Sequence, residues 1–116
     1  MASHVLTIDG WRPVSLNHLL KSHWAKRGSR KRHDRDMVAL HALAQRVPQA
    51  TGRRRISVQV EGMGSLPDPD NLLKSLLDAV VACHLLVDDS SEWCELGTIE
   101  VARGKTDRTV ITLDDL

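Results

Sequence analysis

The stretch Leu66-Pro67-Asp68-Pro69-Asp70-Asn71-Leu72-Leu73-Lys74 concentrates two carboxylates, a carboxamide and a lysine at the entrance to a strongly apolar run. Pro69 fixes its own φ and disfavours helical geometry at Asp68. Asp68 and Asp70 are therefore expected two residues apart on a non-helical segment, side chains on one side, an arrangement that grips a cation. Asp70 or Asn71 then caps the following helix, and Lys74 rises one turn later, suited to facing a phosphate. The same residues also read as an ordinary helix N-cap, and on this motif alone that alternative stays open. An EF-hand loop is excluded, because Leu72 and Leu73 stand where an oxygen ligand and a glycine are required. A second acidic pair, Asp88-Asp89, lies one helix further on.

The elements that must position these residues follow from periodicity. Leu72, Leu73, Leu76, Leu77, Val80 and Val81 form a wide apolar stripe opposite Lys74 and Asp78, which predicts the core helix. Ile56, Val58 and Val60 alternate with Ser57, Gln59 and Glu61, which predicts a half-buried strand just before the acidic loop. Upstream, Val5-Leu6-Thr7-Ile8 forms a short strand closed by Asp9-Gly10. An irregular loop follows, leading into a basic stretch around Trp24. Met37, Leu40, Ala44 and Val47 then predict a helix that starts between Ser29 and Asp34 and stops before Pro48. Two more strands, near Glu95 to Ala102 and Arg108 to Leu113, are joined by Gly104-Lys105-Thr106-Asp107, which reads as a hairpin turn. The order β-α-β-α-β-β indicates a single α+β domain over residues 1–116, with a four-stranded mixed sheet packed by two helices.

Charge is uneven along the chain although the formal net charge of the 116 residues is only +1. Lys21, Lys26, Arg27, Arg30, Lys31, Arg32 and Arg35 crowd one stretch against a lone Asp34, whereas Asp68 to Glu95 is acidic with Lys74 as its one lysine or arginine. A basic surface beside an acidic cluster suits a metal-dependent enzyme acting on a polyanion, and the basic stretch is the candidate DNA-binding surface. Arg30, Lys31 and Arg32 in a first helical turn would oppose the macrodipole by about 0.3 to 1 kcal/mol each, a conflict that an incoming phosphate would relieve. Cys83 and Cys94 are too few and too isolated for a disulfide scaffold, and free thiols in a reducing cytosol are expected. No apolar run approaches the ~20 residues of a membrane span and no signal-peptide core opens the chain, so a cytoplasmic protein is expected.

Asp68-Pro69-Asp70-Asn71-Leu72-Leu73-Lys74, then Asp78-Ala79, then Leu86-Val87-Asp88-Asp89, resembles the signature of the RusA family of Holliday-junction resolvases. Pro13-Val14-Ser15-Leu16-Asn17 is similar to that family's proline-serine-asparagine opening. The resemblance implies a homodimeric, magnesium-dependent endonuclease, with manganese as a possible substitute, that cuts four-way DNA junctions by paired nicks. By position it places the essential metal-binding aspartates on Asp68, Asp70 and Asp89 and the important lysine on Lys74. Other branched DNA, such as flaps and forks, is an alternative substrate, and non-catalytic binding of branched DNA is an alternative function. The segment Gly62-Met63-Gly64-Ser65-Leu66-Pro67 is uncharged where the family type member carries arginines, so DNA grip must come from Lys21 to Arg35 and from Arg53-Arg54-Arg55. His84 stands where a C-terminal glycine is expected, which predicts a different helix end. With no Phe or Tyr in the chain, base stacking falls to Trp11, Trp24 or Trp93.

Chain length sets one further expectation. A helix from Asn71 to about Cys83 carries the chain roughly 20 Å, and the six residues from His84 to Asp89 span at most about 20 Å. Asp89 barely returns to its own Asp68 and Asp70, which favours active sites shared across a two-fold dimer.

Overall fold

A computed structural model describes residues 2–13, 24–64, 66 and 68–116, without the side chains of 24–27. Lys21, Pro67 and the Val14-Ser15-Leu16-Asn17 stretch thus lie outside the described residues, as do the side chains of Trp24, Lys26 and Arg27. The described elements are β1 (Ser3–Asp9), α1 (Trp24–Ala44), β2 (Arg54–Gly62), α2 (Pro69–Ala82), β3 (Cys94–Arg103) and β4 (Arg108–Asp115). They form a small α+β domain with one four-stranded mixed sheet and two helices.

The sheet runs in the order β1-β4-β2-β3. β4 is antiparallel to both β1 and β2, and β2 is parallel to β3. Gly104-Lys105-Thr106-Asp107 therefore closes no hairpin, because β3 and β4 flank β2 instead of pairing with each other. The connection steps across the end of β2, where the Gly104 N–H donates to the Gly62 carbonyl at 3.0 Å. Burial explains the order. Thr109, Ile111 and Leu113 of β4 are wholly buried and suit a central strand, while the charged Glu95, Glu100 and Arg103 of β3 suit an edge. A register shift between Ile56 and Val58 lets β3 bulge at Gly97, where a Cβ would run into Ser57 Oγ.

Alternation sends Leu6 and Ile8, then Ile56, Val58 and Val60, then Ile111 and Leu113 into one core with the helices. The opposite sheet face, carrying Val5, Thr7, Ser57, Gln59, Val110 and Thr112, is left half-buried or exposed. At the outer edge of β1, the Gln45 carboxamide takes the place of a neighbouring strand. The Thr7 N–H donates to Gln45 Oε1 at 2.9 Å, and Gln45 Nε2 donates to the Thr7 carbonyl at 2.6 Å.

α1 differs from its expectation in start and in phase. It begins at Trp24, so Arg30, Lys31 and Arg32 fall beyond its first turn, although that turn still contains no acid. Its inward face is Asp34, Val38 and Ala42; of the expected set Met37 and Val47 pack half-buried against the core, whereas Leu40 and Ala44 are exposed, as is Leu43 at 79%. The phase is set by Asp34. Its carboxylate accepts the Trp11 indole N–H at 3.1 Å and lies 3.1 Å from Arg30 Nε, which draws a charged residue inward at the expense of a leucine.

α2 follows its expected stripe at Leu72, Leu73, Leu76, Leu77 and Val80, which are buried together with Ala79, while Val81 is half-buried against the core. Each large aliphatic side chain contributes about 1.5 to 3 kcal/mol on burial. That sum fixes the helix against the sheet whatever the polar residues at its entrance do. α2 packs beside α1 and over β3.

Candidate metal centre and nucleic-acid face

The entrance to α2 is built from Asp68. Its backbone is extended (φ −57°, ψ 135°), Pro69 opens the helix, and Asp68 Oδ1 accepts the Asp70 N–H at 3.3 Å. The Asn71 and Leu72 N–H groups both donate to the Asp68 carbonyl. Asp68 is therefore the N-cap, a role assigned by sequence to Asp70 or Asn71. Asp70 stands inside the first turn and not on an extended segment. Pro69 is responsible, since its missing N–H costs nothing at the first helical position. Both carboxylates are exposed, and Lys74 and Asp78 are exposed further along the same helix. Two aspartates in this setting fit Mg²⁺, which binds through one or two carboxylates and keeps several waters.

The other end of α2 is closed by His84. His84 adopts φ 61°, with its N–H donating to the Val81 carbonyl and the Leu85 N–H to the Val80 carbonyl. This is the left-handed closure that glycine would give, so the expected difference in helix end is absent. His84 takes the conformation at a steric cost because buried Leu85 and Leu86 anchor the chain just beyond it.

Asp88 and Asp89 lie at this second end. Hydrogen bonds from the Asp89 backbone N–H and then the Ser90 hydroxyl hold the Asp88 carboxyl below its ordinary value. Asp88 is thus engaged in its own turn. Asp89 lies near Cys94, whose thiol is pushed up by burial and then by the Asp89 charge. The Cys94 N–H donates to the Ser90 carbonyl at 2.8 Å, and Cys94 pairs with Arg54 at the start of β2. Asp70 stands at the opposite end of the 14-residue α2, about 20 Å along its axis. Among the described residues no three metal-ligating side chains come together. One chain brings Asp68 and Asp70 to the same place and leaves Asp89 apart.

The basic residues divide into free and committed ones. Lys31, Arg32 and Arg35 are exposed along α1 and border a groove of about 360 Å³ against Ser75, Asp78 and Ala82 of α2. Arg30 is drawn inward, with Nη2 donating to the Arg12 carbonyl at 3.1 Å. Arg54 is not available to DNA. It is 2% exposed, donates from Nε to Asp115 at 2.6 Å, and donates from Nη1 to the Pro48 and Leu85 carbonyls. Arg55 pairs with Glu95 at 2.6 Å, which leaves Arg53 as the most accessible of the three. Trp11 is a buried anchor and offers no stacking surface, whereas Trp93 is half-buried.

Sequence reasoning missed the structural roles of Asp34 and Arg54. The signal for Asp34 was its isolation as the one acid among seven bases. Neither a protein-family model nor a curated protein matches this chain.

Proposed function

We propose that the chain is a magnesium-dependent, structure-specific DNA endonuclease of the RusA kind, acting in the cytoplasm as a homodimer on four-way junctions. The observation that carries this reading is the exposed Asp68-Pro69-Asp70 pair at the α2 entrance, with a basic helix packed alongside. Asp68 and Asp70 would hold the ion, for which manganese can substitute. When bound, such an ion offsets charge on the scissile phosphate and makes water a better nucleophile. Lys74, one turn along from Asp70, faces that phosphate and stabilises its developing charge. Lys31, Arg32 and Arg35 hold flanking phosphates without reading sequence. The separation of Asp89 from Asp70 favours a third carboxylate supplied by Asp89 of the partner subunit.

The test is a cleavage gel with labelled four-way junction, fork, flap and linear duplex, each with and without Mg²⁺. The reading expects paired nicks in the junction, only with metal, and none from Asp70→Asn. Preferential cutting of forks or flaps would reassign the substrate. Binding of junctions with no cutting by the wild type would reduce the protein to a branched-DNA binder.

A further inference from the structure

Two helical stripes face each other across the groove between α1 and α2. Gly28, Arg32 and Arg35 follow the i, i+4, i+7 spacing of one face of α1, and Asp78, Ala79 and Ala82 stand together on the facing side of α2. Small residues are thus present on both walls, and they leave the hollow of about 360 Å³ open between the helices. The α1 rim is basic, whereas the α2 wall contributes an acid.

Asp78 is out of place on a surface built for phosphate alone. It is exposed, and among the described residues it makes no hydrogen bond or ion pair, although Lys31, Arg32 and Arg35 border the same hollow. Asp34, the other acid in the lining, is already engaged by Trp11 and Arg30. A carboxylate accepts hydrogen bonds and donates none, so Asp78 repels the phosphates that its neighbours attract unless a ligand brings N–H groups to it.

Shape narrows the choice of ligand. Duplex grooves are read by convex elements that enter them, such as a helix or a ribbon, and a recess cannot do this. A recess at the lower end of the range of ligand pockets, roughly 300 to 1,000 Å³, takes a group that projects from the DNA. An unstacked nucleobase is flat, apolar on its faces and edged with N–H donors. Unstacking costs least where pairing is already interrupted, as it is at a branch.

We infer that the α1–α2 groove holds one unstacked nucleobase of branched DNA, with Asp78 accepting from its amino group and Arg32 and Arg35 on the phosphates to either side. Cytosine, adenine and guanine carry such an amino group. Thymine presents carbonyl oxygens on both sides of its ring N–H, and these the carboxylate repels. Asp78 therefore distinguishes bases, while the cations hold backbone only. The inference deepens the branched-DNA reading and rests on it.

The test uses the full chain and four-way junctions that carry one extra nucleotide at the branch: cytosine, adenine, guanine, thymine or an abasic unit. Fluorescence anisotropy without Mg²⁺ reads binding before any cut. Wild type is expected to bind the three amino-bearing junctions at least about tenfold more tightly than the thymine and abasic ones, as one hydrogen bond to a charged group provides. Asp78→Asn, which offers a donor as well as an acceptor, is expected to erase that preference. Gly28→Leu and Ala82→Leu fill the hollow from either wall and are expected to bind all five junctions as wild type binds the abasic one. Both variants should fold, because a Cβ at Gly28 meets only Arg32 Nη1 at 3.7 Å and Ala82 is exposed, and loss of a glycine favours the helix. Their affinity for linear duplex is expected to match wild type, which a general loss of DNA binding would not allow.

Equal binding of all five junctions by wild type, or filled variants that keep the preference, would overturn the inference. Saturable binding of deoxycytidine monophosphate at millimolar concentration, with no preference among the junctions, would assign the groove to a free nucleotide instead. Cleavage is scored separately with Mg²⁺. Base preference in a wild type that never cuts sinks the nuclease and keeps the groove assignment, whereas an active enzyme indifferent to the extra base does the reverse.

Discussion

Trp11 Nε1 donates to Asp34 Oδ1 at 3.1 Å, joining two residues that are each 4% exposed. The bond ties the segment after β1 to the middle of α1, the helix that displays the basic face. Asp34→Ala strands the indole N–H and leaves Arg30 beside an empty site, so a loss of roughly 2 to 4 kcal/mol is expected in urea unfolding. Asp34→Asn keeps an acceptor and is expected to cost less. Equal losses in the two variants would show that the indole bond contributes nothing.

A second prediction concerns acid. Hydrogen bonds from Arg54 and then His4 hold the Asp115 carboxyl below its ordinary value of 3.8. A depressed folded value means stability that is present above the unfolded pKa and lost as pH falls through the folded one. Wild type should therefore lose stability below about pH 4 more steeply than Asp115→Asn. Thermal unfolding from pH 6 to pH 2 checks this, and parallel acid limbs would refute it.

His84→Gly should stabilise the protein by up to about 1 kcal/mol, because glycine reaches φ 61° without the Cβ contact that histidine endures. A lower melting temperature in this variant would mean that the imidazole makes a compensating contact.

On DNA, neutralising Lys31, Arg32 and Arg35 together should lower the slope of log K against log salt by up to about 2.7, near 0.9 per lost phosphate contact. Arg54→Met should instead lower stability, because the Pro48 and Leu85 carbonyls lose their donor. An unchanged slope in the triple variant would make α1 a solvated face only.

Mixing Asp70→Asn with Asp89→Asn tests how the carboxylates are shared. If each site draws Asp89 from the partner subunit, a heterodimer of the two retains one intact site and nicks one strand. If each site is built within one chain, both are disabled. A verified heterodimer with no nicking would refute sharing.

How legible this was in the sequence depended on the range of the forces involved. α2 was legible because six buried positions repeat on one face within 14 residues, and nothing distant competes with that pattern. α1 was misphased because burying Asp34 needs Trp11, 23 residues away, and no local periodicity reports such a partner. Arg54 could have been caught, since extending the Ile56, Val58 and Val60 alternation by one step points it inward. The insertion of β4 between β1 and β2 rests on pairings as distant as Ser3 with Asp114, so the local turn signal at Gly104 misled. The aspartates were legible as types and spacing, but the cap role of Asp68 emerged only with the helix start in place.

The Gln45 carboxamide on Thr7 has a consequence for how this sheet meets other chains. A bare outer strand is a template on which foreign strands add and fibrils grow. By occupying both main-chain groups of Thr7, Gln45 blocks such growth at the middle of β1 and leaves β3 as the sheet's other margin, where Glu95 and Glu100 discourage the same event by charge. One side chain at the end of a helix thus guards the molecule against templated aggregation.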